Sequence, residues 1–349
     1  MMRYSKVSLA DFTCALPDNI VSSDEIELRL KPLYERLRLP EGRLELMTGI
    51  RERRFWGAGY KPSDGALLAG RKLLARSGLE PEQIGAMVYC AVSRDFVEPA
   101  TSTVLHRELG LSSHCLNFDI SNACLGMVSG ILTLANMIEL GQIEAGIALC
   151  GENAGPLLEN TIASLNADLS LTRSDVKTHF ASLTIGSAAA AALVRRAQPG
   201  QQSRLLLAAA SYSDCSNNHL CQGDARGGMT DASQPLMQTD SQELLQQGVK
   251  VAAGMWQKLK KCSAWQAEDA DLICTHQVGK FHRALLYETL GLPLEKDYSS
   301  FPILGNCGSA SLPATCALAL EQGCLKQGDK LLMLGIGSGI NATGLAVQW

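Results

Sequence analysis

The chain has 349 residues, 46% hydrophobic and 19% charged, with a formal net charge of −4. That balance suits a globular protein with a large core and gives no bulk electrostatic case for nucleic acid or an anionic membrane surface. No run approaches the ~18 apolar residues a membrane span requires, and MMRYSKVSLADF opens polar and runs into a strand, so neither a span nor a signal peptide is expected and the location is expected to be cytoplasmic.

In chain order, hydrophobic periodicity predicts helices over 24–37 and 63–77, a strand over 85–92 and helices over 101–109 and 124–140. Strands follow over 146–151 and 188–195. The polar, Pro/Gly-containing stretch RRAQPGQQSR (195–204) reads as a linker. Beyond it come a helix over 241–260, a strand over 271–275, helices over 280–290 and 309–322, and a strand over 331–336. Alternation of this kind predicts parallel or mixed sheets covered by helices.

The chain also repeats itself. LNFDISNACLGMVSGILTLANMIELGQIEAGIALCGENAG (116–155) and SFPILGNCGSASLPATCALALEQGCLKQGDKLLMLGIGSG (300–339) share one layout about 184 residues apart. Each has a strand-like lead-in, an Asn-containing turn, a helix of small and apolar residues, a Gly, a charged turn and a buried strand. Asn122 matches Asn306, and Gly151 matches Gly335. Upstream, LEPEQIGAMVYCAVSRD (79–95) matches AWQAEDADLICTHQVGK (264–280) at a similar offset. An internal duplication follows, with halves 1–197 and 198–349 packed as a five-layered α/β sandwich.

Twelve cysteines without a CxxC pair exclude the usual zinc spacing, and a disulfide framework suits short secreted chains rather than this one. Cys90, Cys150, Cys274 and Cys316 sit in apolar runs and read as small buried hydrophobes. Cys124 differs. It opens the helix ACLGMVSGILTLANMIEL, apolar on nearly every face, where the helix dipole and free backbone N–H groups should favour thiolate and could hold a carbonyl oxygen as it becomes an oxyanion. A packing role is the ordinary fate of a cysteine. Here, though, the repeat sets Gly308, just after Asn306, opposite Cys124. His276 ends the buried run DLICTH, at the strand end where α/β proteins place functional groups. Together these supply a nucleophile, an imidazole and an amide donor.

TGIRERR (48–54), DISNACLG (119–126), THQ (275–277), GNCGSAS (305–311) and LGIGSG (334–339) occur in the order found in the thiolase-fold condensing enzymes, specifically ketoacyl synthase III and its relatives, and the chain resembles that family over its whole length. The resemblance implies a thiolase-like αβαβα sandwich and a homodimer. It implies that Cys124 accepts an acyl group from a thioester, with the Cys124 N–H and the Gly337–Ser338–Gly339 loop as a first oxyanion hole. His276 and Asn306 would form a second, stabilising the enolate of the second thioester for Claisen condensation. No metal and no cofactor beyond acyl-CoA or acyl carrier protein substrates is implied.

AVSRDFVEPATS (91–102), HQVGKFH, GNCGSASLP and the ending GIGSGINATGLAVQW are similar to the long-chain condensing enzymes of bacterial olefin biosynthesis. In that group a glutamate crosses the dimer interface as the base, which implies Glu98 here. A malonyl donor makes its carbanion by losing CO2, whereas an ordinary acyl-CoA must lose an α-proton, so a positioned carboxylate is needed. The expected activity joins two acyl-CoAs into a 2-alkyl-3-ketoacyl product. The alternative is a conventional 3-oxoacyl-ACP synthase III using acyl-CoA and malonyl-ACP, initiating fatty acid or secondary-metabolite synthesis. More remote are acyl transfer to an oxygen or nitrogen acceptor, thioester hydrolysis, and a non-catalytic scaffold. Arg43 and Met47 stand near the places of the Trp and Arg that hold the CoA adenine in ketoacyl synthase III. Arg51 occupies the TGIR arginine position, open to substrate binding or a structural salt bridge. MTDASQPLMQTDSQELL (229–245) reads as a loop and helix placed to cover the site.

Overall fold

A computed structural model describes residues 2–201, 204–223 and 237–349. Among the described residues the first half supplies strands β1 (Val7–Ala15), β2 (Ala86–Tyr89), β3 (Leu116–Asp119), β4 (Ala145–Glu152) and β5 (Ala188–Arg196). The second supplies β6 (Leu205–Ser213), β7 (Leu272–Thr275), β8 (Lys330–Gly337) and β9 (Asn341–Gln348). They lie side by side in the order β7-β8-β9-β6-β1-β5-β4-β2-β3, with Met2–Arg3 paired beside β6.

The duplication is written into this order. Read outward from the β1/β6 joint, each half runs first strand, last strand, penultimate strand, then second strand: β1-β5-β4-β2 and β6-β9-β8-β7. In both, the first two steps are antiparallel and the third parallel. β3 continues the first half in parallel beside β2. At the corresponding place beside β7 only a single parallel bridge remains, Ile273 to Asp297.

Helices α1 (Pro62–Ser77) and α2 (Ser102–Glu108) cover the first half, and α4 (Ser241–Ser263) and α5 (Lys280–Leu290) cover the second. Between them lie α3 (Gly126–Glu139) and α6 (Ser311–Glu321), giving the five-layered sandwich. The central position explains the composition of these two helices: α3 reads GMVSGILTLANMIE and α6 SLPATCALALE, small or apolar on all faces. α3 lies against β2, β4 and β5, and the turn before it touches β8 and β9. α6 lies against β1, β5, β7 and β8, so it meets strands of both halves. At the joint, Phe12 of β1 stacks on the terminal Trp349, ring centroids 6.0 Å apart.

The expected strands and helices are present with ends shifted by a few residues. The helix expected over 24–37 is two, Ser23–Arg29 and Lys31–Leu37, broken at Leu30 just before Pro32. β6 and β9 are additions to the expected set. Their LLLAAASYS and NATGLAVQ sequences carry little of the β-branched signal, and the surrounding sheet supplies the preference instead. The 195–204 linker is the short passage from β5 to β6. No helix among the described residues is long and apolar enough to cross a membrane.

One crossing between segments positions the site. Ile185 pairs with Asn306 in a parallel bridge, the Gly186 N–H donates to the Asn306 carbonyl at 2.9 Å, and the Asn306 N–H donates to the Thr184 carbonyl at 2.9 Å. Gly186 is so close to Leu304 that a Cβ would collide with its backbone carbonyl oxygen. Gly186→Ala should therefore cost about 1–3 kcal/mol of stability or more, read as a lowered urea midpoint, because the obstruction is backbone that cannot move without carrying Asn306 with it.

Candidate active site

Cys124 lies in a tight 3-10 turn, Ala123–Leu125, immediately before α3. The turn is strained: Ala123 has φ +43°, a left-handed conformation that costs a residue with a Cβ about 1–2 kcal/mol. Neighbouring groups hold it. The Ser309 hydroxyl, from the second half, donates to the Ala123 carbonyl at 3.0 Å and accepts the Met127 N–H at 3.1 Å. On another side, Gly335 and Gly337 of β8 press on Leu125, and a Cβ at Gly335 would collide with the Leu125 side chain. Strand β8 ends in a turn with Gly339 at φ +79° and Ile340 at φ +58°, and within it the Ser338 N–H donates to the Cys124 sulfur. A donor aimed at that sulfur is also near any acyl carbonyl attached to it, as an oxyanion hole requires.

His276 follows β7 and is 5% exposed. Its backbone N–H donates to the Leu334 carbonyl at 2.9 Å, which ties it to β8 just ahead of the Gly335 and Gly337 that pack on the nucleophile turn. Burial, reinforced by nearby His282, pushes its imidazole pKa down to about 3, so the ring is neutral at any ordinary pH. Its Nδ1 is buried without a hydrogen-bond partner among the described residues. The adjacent Gln277 Oε1 accepts the N–H groups of Ser300 at 3.0 Å and Phe301 at 3.1 Å, at the start of the short helix Phe301–Leu304 that delivers Gly305 and Asn306.

Asn306 is oriented by its own turn. Its Oδ1 accepts the Gly308 N–H at 3.0 Å and the Ser311 hydroxyl at 3.3 Å, which leaves Nδ2 as the end with protons to offer a ligand. The turns of Cys124, His276 and Asn306 thus meet through Ser309, β8 and Gln277, drawn from both halves of the chain.

The thiolate expected at a helix start is not the resting state. Burial pushes the Cys124 thiol up to about 12, with Cys221 and the Glu152 carboxylate adding to it, against hydrogen bonds from the Ser338 and Cys124 N–H groups. The α-helix itself begins two residues later, at Gly126, and two N–H donors do not offset the loss of water.

Glu98 stands apart. It is exposed on the loop between β2 and α2, and no hydrogen bond or ion pair among the described residues ties it to the three turns. Arg51 is exposed and forms no ion pair among the described residues, so the structural salt bridge open to it is not made. The buried arginine of that stretch is Arg53, whose guanidinium donates to the Ser23 hydroxyl and the Leu183 carbonyl, both at 2.9 Å. Of 229–245, residues 229–236 lie outside the described residues. Met237–Thr239 pairs with Cys221–Gly223, and the Cys221 sulfur accepts the Ser338 hydroxyl at 3.3 Å, so this segment does reach the nucleophile's surroundings. Three residues at the site are absent from the sequence expectations: Glu152, Cys221 and Ser309. Only Glu152 leaves a signal in the sequence, a charge closing an otherwise apolar eight-residue strand.

Residues 261–349 match the family described as 3-oxoacyl-[acyl-carrier-protein (ACP)] synthase III C terminal. Over the full length of both chains the protein is 39% identical to an acyl-CoA:acyl-CoA alkyltransferase of Shewanella oneidensis and 32% identical to that of Xanthomonas campestris pv. campestris. The chain belongs to the acyl-CoA:acyl-CoA alkyltransferase family. A β-ketoacyl-[acyl-carrier-protein] synthase III of Koribacter versatilis is more distant, 24% identical over 86% of this chain and 87% of its own. Crystal structures of Xanthomonas campestris OleA superpose with a TM-score of 0.93 at 32% identity, covering 100% of this chain and 98% of that one. They include variants replaced at a glutamate, a cysteine or a histidine, and one with cerulenin bound. The replaced glutamate and cysteine there are 26 residues apart, as are Glu98 and Cys124 in this alkyltransferase-family chain.

A neutral, half-buried thiol has a kinetic signature. Alkylation of Cys124 by iodoacetamide should rise about tenfold per pH unit without levelling off between pH 7 and 10, because thiolate stays a minor species below its pKa. A plateau in that range, followed by mass spectrometry, would show a pre-formed thiolate instead.

Proposed function

We propose that this protein joins two acyl-CoA molecules by Claisen condensation through an acyl-Cys124 intermediate, giving a 2-alkyl-3-ketoacyl-CoA. The observation that carries the reading is the full-length identity to two acyl-CoA:acyl-CoA alkyltransferases, supported by the Ser309 hydroxyl that bonds the turn of Cys124 from three residues after Asn306.

The Cys124 sulfur attacks the first thioester carbonyl. Its proton passes to neutral His276, which has an acceptor nitrogen available, and on to the departing CoA sulfur. The N–H groups of Cys124 and the Gly337–Ser338–Gly339 loop hold the tetrahedral oxyanion. The second acyl-CoA then loses an α-proton to Glu98, and its enolate oxygen is held by His276 and by Asn306 Nδ2. The α-carbon attacks the acyl-Cys124 carbonyl, and collapse of the adduct expels the Cys124 sulfur, which recovers a proton as Glu98 is reset. No redox step and no further co-reactant is needed.

Glu98 is exposed and no hydrogen bond among the described residues ties it to its own chain's Cys124 turn, so the proposal includes a homodimer in which it serves the partner's. Support comes from the same edge of the molecule. β3 is the last strand of the sheet, and Leu116 and Phe118 on it are exposed, as are Val92, Phe96 and Val97 on the Glu98 loop. An apolar sheet edge of this kind is a pairing surface. The location proposed is cytoplasmic, supported by twelve cysteines all unpaired, as a reducing compartment would keep them. Arg51 is proposed as an anionic-substrate contact, since its charge is exposed and no ion pair among the described residues engages it. Acyl carrier protein as donor belongs to the second reading, malonyl-ACP condensation, favoured by the C-terminal family match.

Two measurements test this. Glu98→Gln should abolish condensation of two saturated acyl-CoAs while leaving Cys124 acylation detectable by intact mass, and a requirement for malonyl donor with CO2 release would replace the proposal with the second reading. Mixing inactive Glu98→Gln and Cys124→Ala chains should restore about a quarter of the native rate, since half the dimers are mixed and hold one complete site of two. No recovery on subunit exchange would place Glu98 outside the partner's site.

A further inference from the structure

Glu152, the last residue of β4, is 5% exposed and takes no part in the scheme above. A carboxylate this deep survives only if its lone pairs are satisfied, and three of its partners are backbone N–H groups. Oε1 accepts the Val92 N–H at 2.9 Å and the Ser309 N–H at 3.1 Å, and Oε2 accepts the Ser93 N–H at 3.0 Å. The Cys150 thiol, 4.0 Å from Oε1, is a fourth and weaker donor. Gly308 leaves the room, since a Cβ there would sit 3.0 Å from Oε1.

These partners come from two places with different duties. Val92 and Ser93 open the loop that carries Glu98. Ser309 is the residue whose hydroxyl holds the nucleophile turn at Ala123 and Met127, three residues after Asn306. The rest of the loop is also pinned. The Ser63 N–H and hydroxyl donate to Asp95, and the Thr101 and Ser102 N–H groups each donate to Asp119 at 2.9 Å. Phe96, Val97 and Glu98 are left projecting between fixed points. Of these anchors, only Glu152 also touches the nucleophile's own surroundings, through Ser309.

We propose that Glu152 is a positioning residue whose single oxygen Oε1, shared between Val92 and Ser309, sets the Glu98 loop in fixed register with the Cys124–Asn306 site of the same chain. In a dimer this makes one carboxylate a link between a subunit's own nucleophile and the base it offers to its partner. The inference rests on the proposed role of Glu98. It adds a chemical link as well, because the Glu152 carboxylate is one of the groups holding the Cys124 thiol protonated.

Glu152→Gln keeps the shape, removes the charge and turns one acceptor into a donor facing an N–H. Displacing the loop by even ~1 Å should slow condensation by roughly 100-fold, while Cys124 is still acylated by acyl-CoA. Amide exchange should quicken in 91–100 and 306–312 and stay unchanged in β1 and β5. The pH profile of Cys124 alkylation should move to lower pH, since removing a neighbouring negative charge favours thiolate; a purely structural role would leave that profile in place. Native condensation with native exchange in both segments overturns the inference, as does equal loss of acylation and condensation. If β1 and β5 also exchange faster, Glu152→Asp decides: it keeps the charge but shortens the reach to Val92 and Ser309, so condensation should fall roughly fivefold with acylation retained, whereas a native rate overturns the inference. Glu98→Gln separates the two layers. If that variant condenses normally, the base assignment has failed, and the exchange changes in Glu152→Gln still report whether the tether exists.

Discussion

The site depends on one contact across the joint between the halves, the Ser309 hydroxyl bonded to both the Ala123 carbonyl and the Met127 N–H. It joins the start of one central helix to the start of the other. A 3-10 turn with a left-handed alanine would relax in isolation, and here the opposing half holds it in place. The close approach that permits this comes from glycines: Gly335 and Gly337 let β8 lie on Leu125, and Gly308 makes room for Glu152. The two halves carry such turns at equivalent places, and the proposed site takes its nucleophile from one and Asn306 from the other.

Burial then decides the charge states. The same loss of water holds Cys124 as a thiol and His276 as a neutral imidazole, although the two titrate in opposite senses. A thiolate–imidazolium pair would need both groups to lose water together, and the N–H groups at the Cys124 sulfur oppose that cost only in part. A neutral histidine suits both half-reactions, having one nitrogen to accept the thiol proton and one N–H to donate to an enolate oxygen. Asn306 reaches the same state by hydrogen bonding, with its oxygen committed to Gly308 and Ser311 and its amide protons left over.

Much of this is legible in the sequence, for identifiable reasons. The repeat can be seen because Asn122/Asn306 and Gly151/Gly335 answer geometric needs that recur in each half. Cys124 stands out because its helix is apolar all round and must lie in the centre. Strands β6 and β9 are hidden because Ala and Gly form strands there only through their neighbours. The thiol's protonation state is hidden too, since dipole and burial act in opposite directions and only packing reveals which is larger. Ser309 and Glu152 act by contacts made 182 and 157 residues away in sequence, and although the charge closing an apolar strand marks Glu152, no local pattern names the partner of either.

The exposed position of Glu98 suits the role proposed for it. A base that removes an α-proton must be ionised when substrate arrives and strong when it acts. A carboxylate buried from the outset has its lone pairs committed and cannot take up the proton, as Glu152 illustrates: its oxygens are occupied by the Val92, Ser93 and Ser309 N–H groups. Glu98 projects into water beside the exposed Val97 and near the apolar sheet edge at Leu116 and Phe118. Covering that edge with a second copy would strip water from the carboxylate only at assembly, and a desolvated carboxylate holds a proton more strongly. On the proposed reading, two carboxylates of one chain, 54 residues apart in sequence, divide the work: the inner one fixes geometry and the outer one is left free to react.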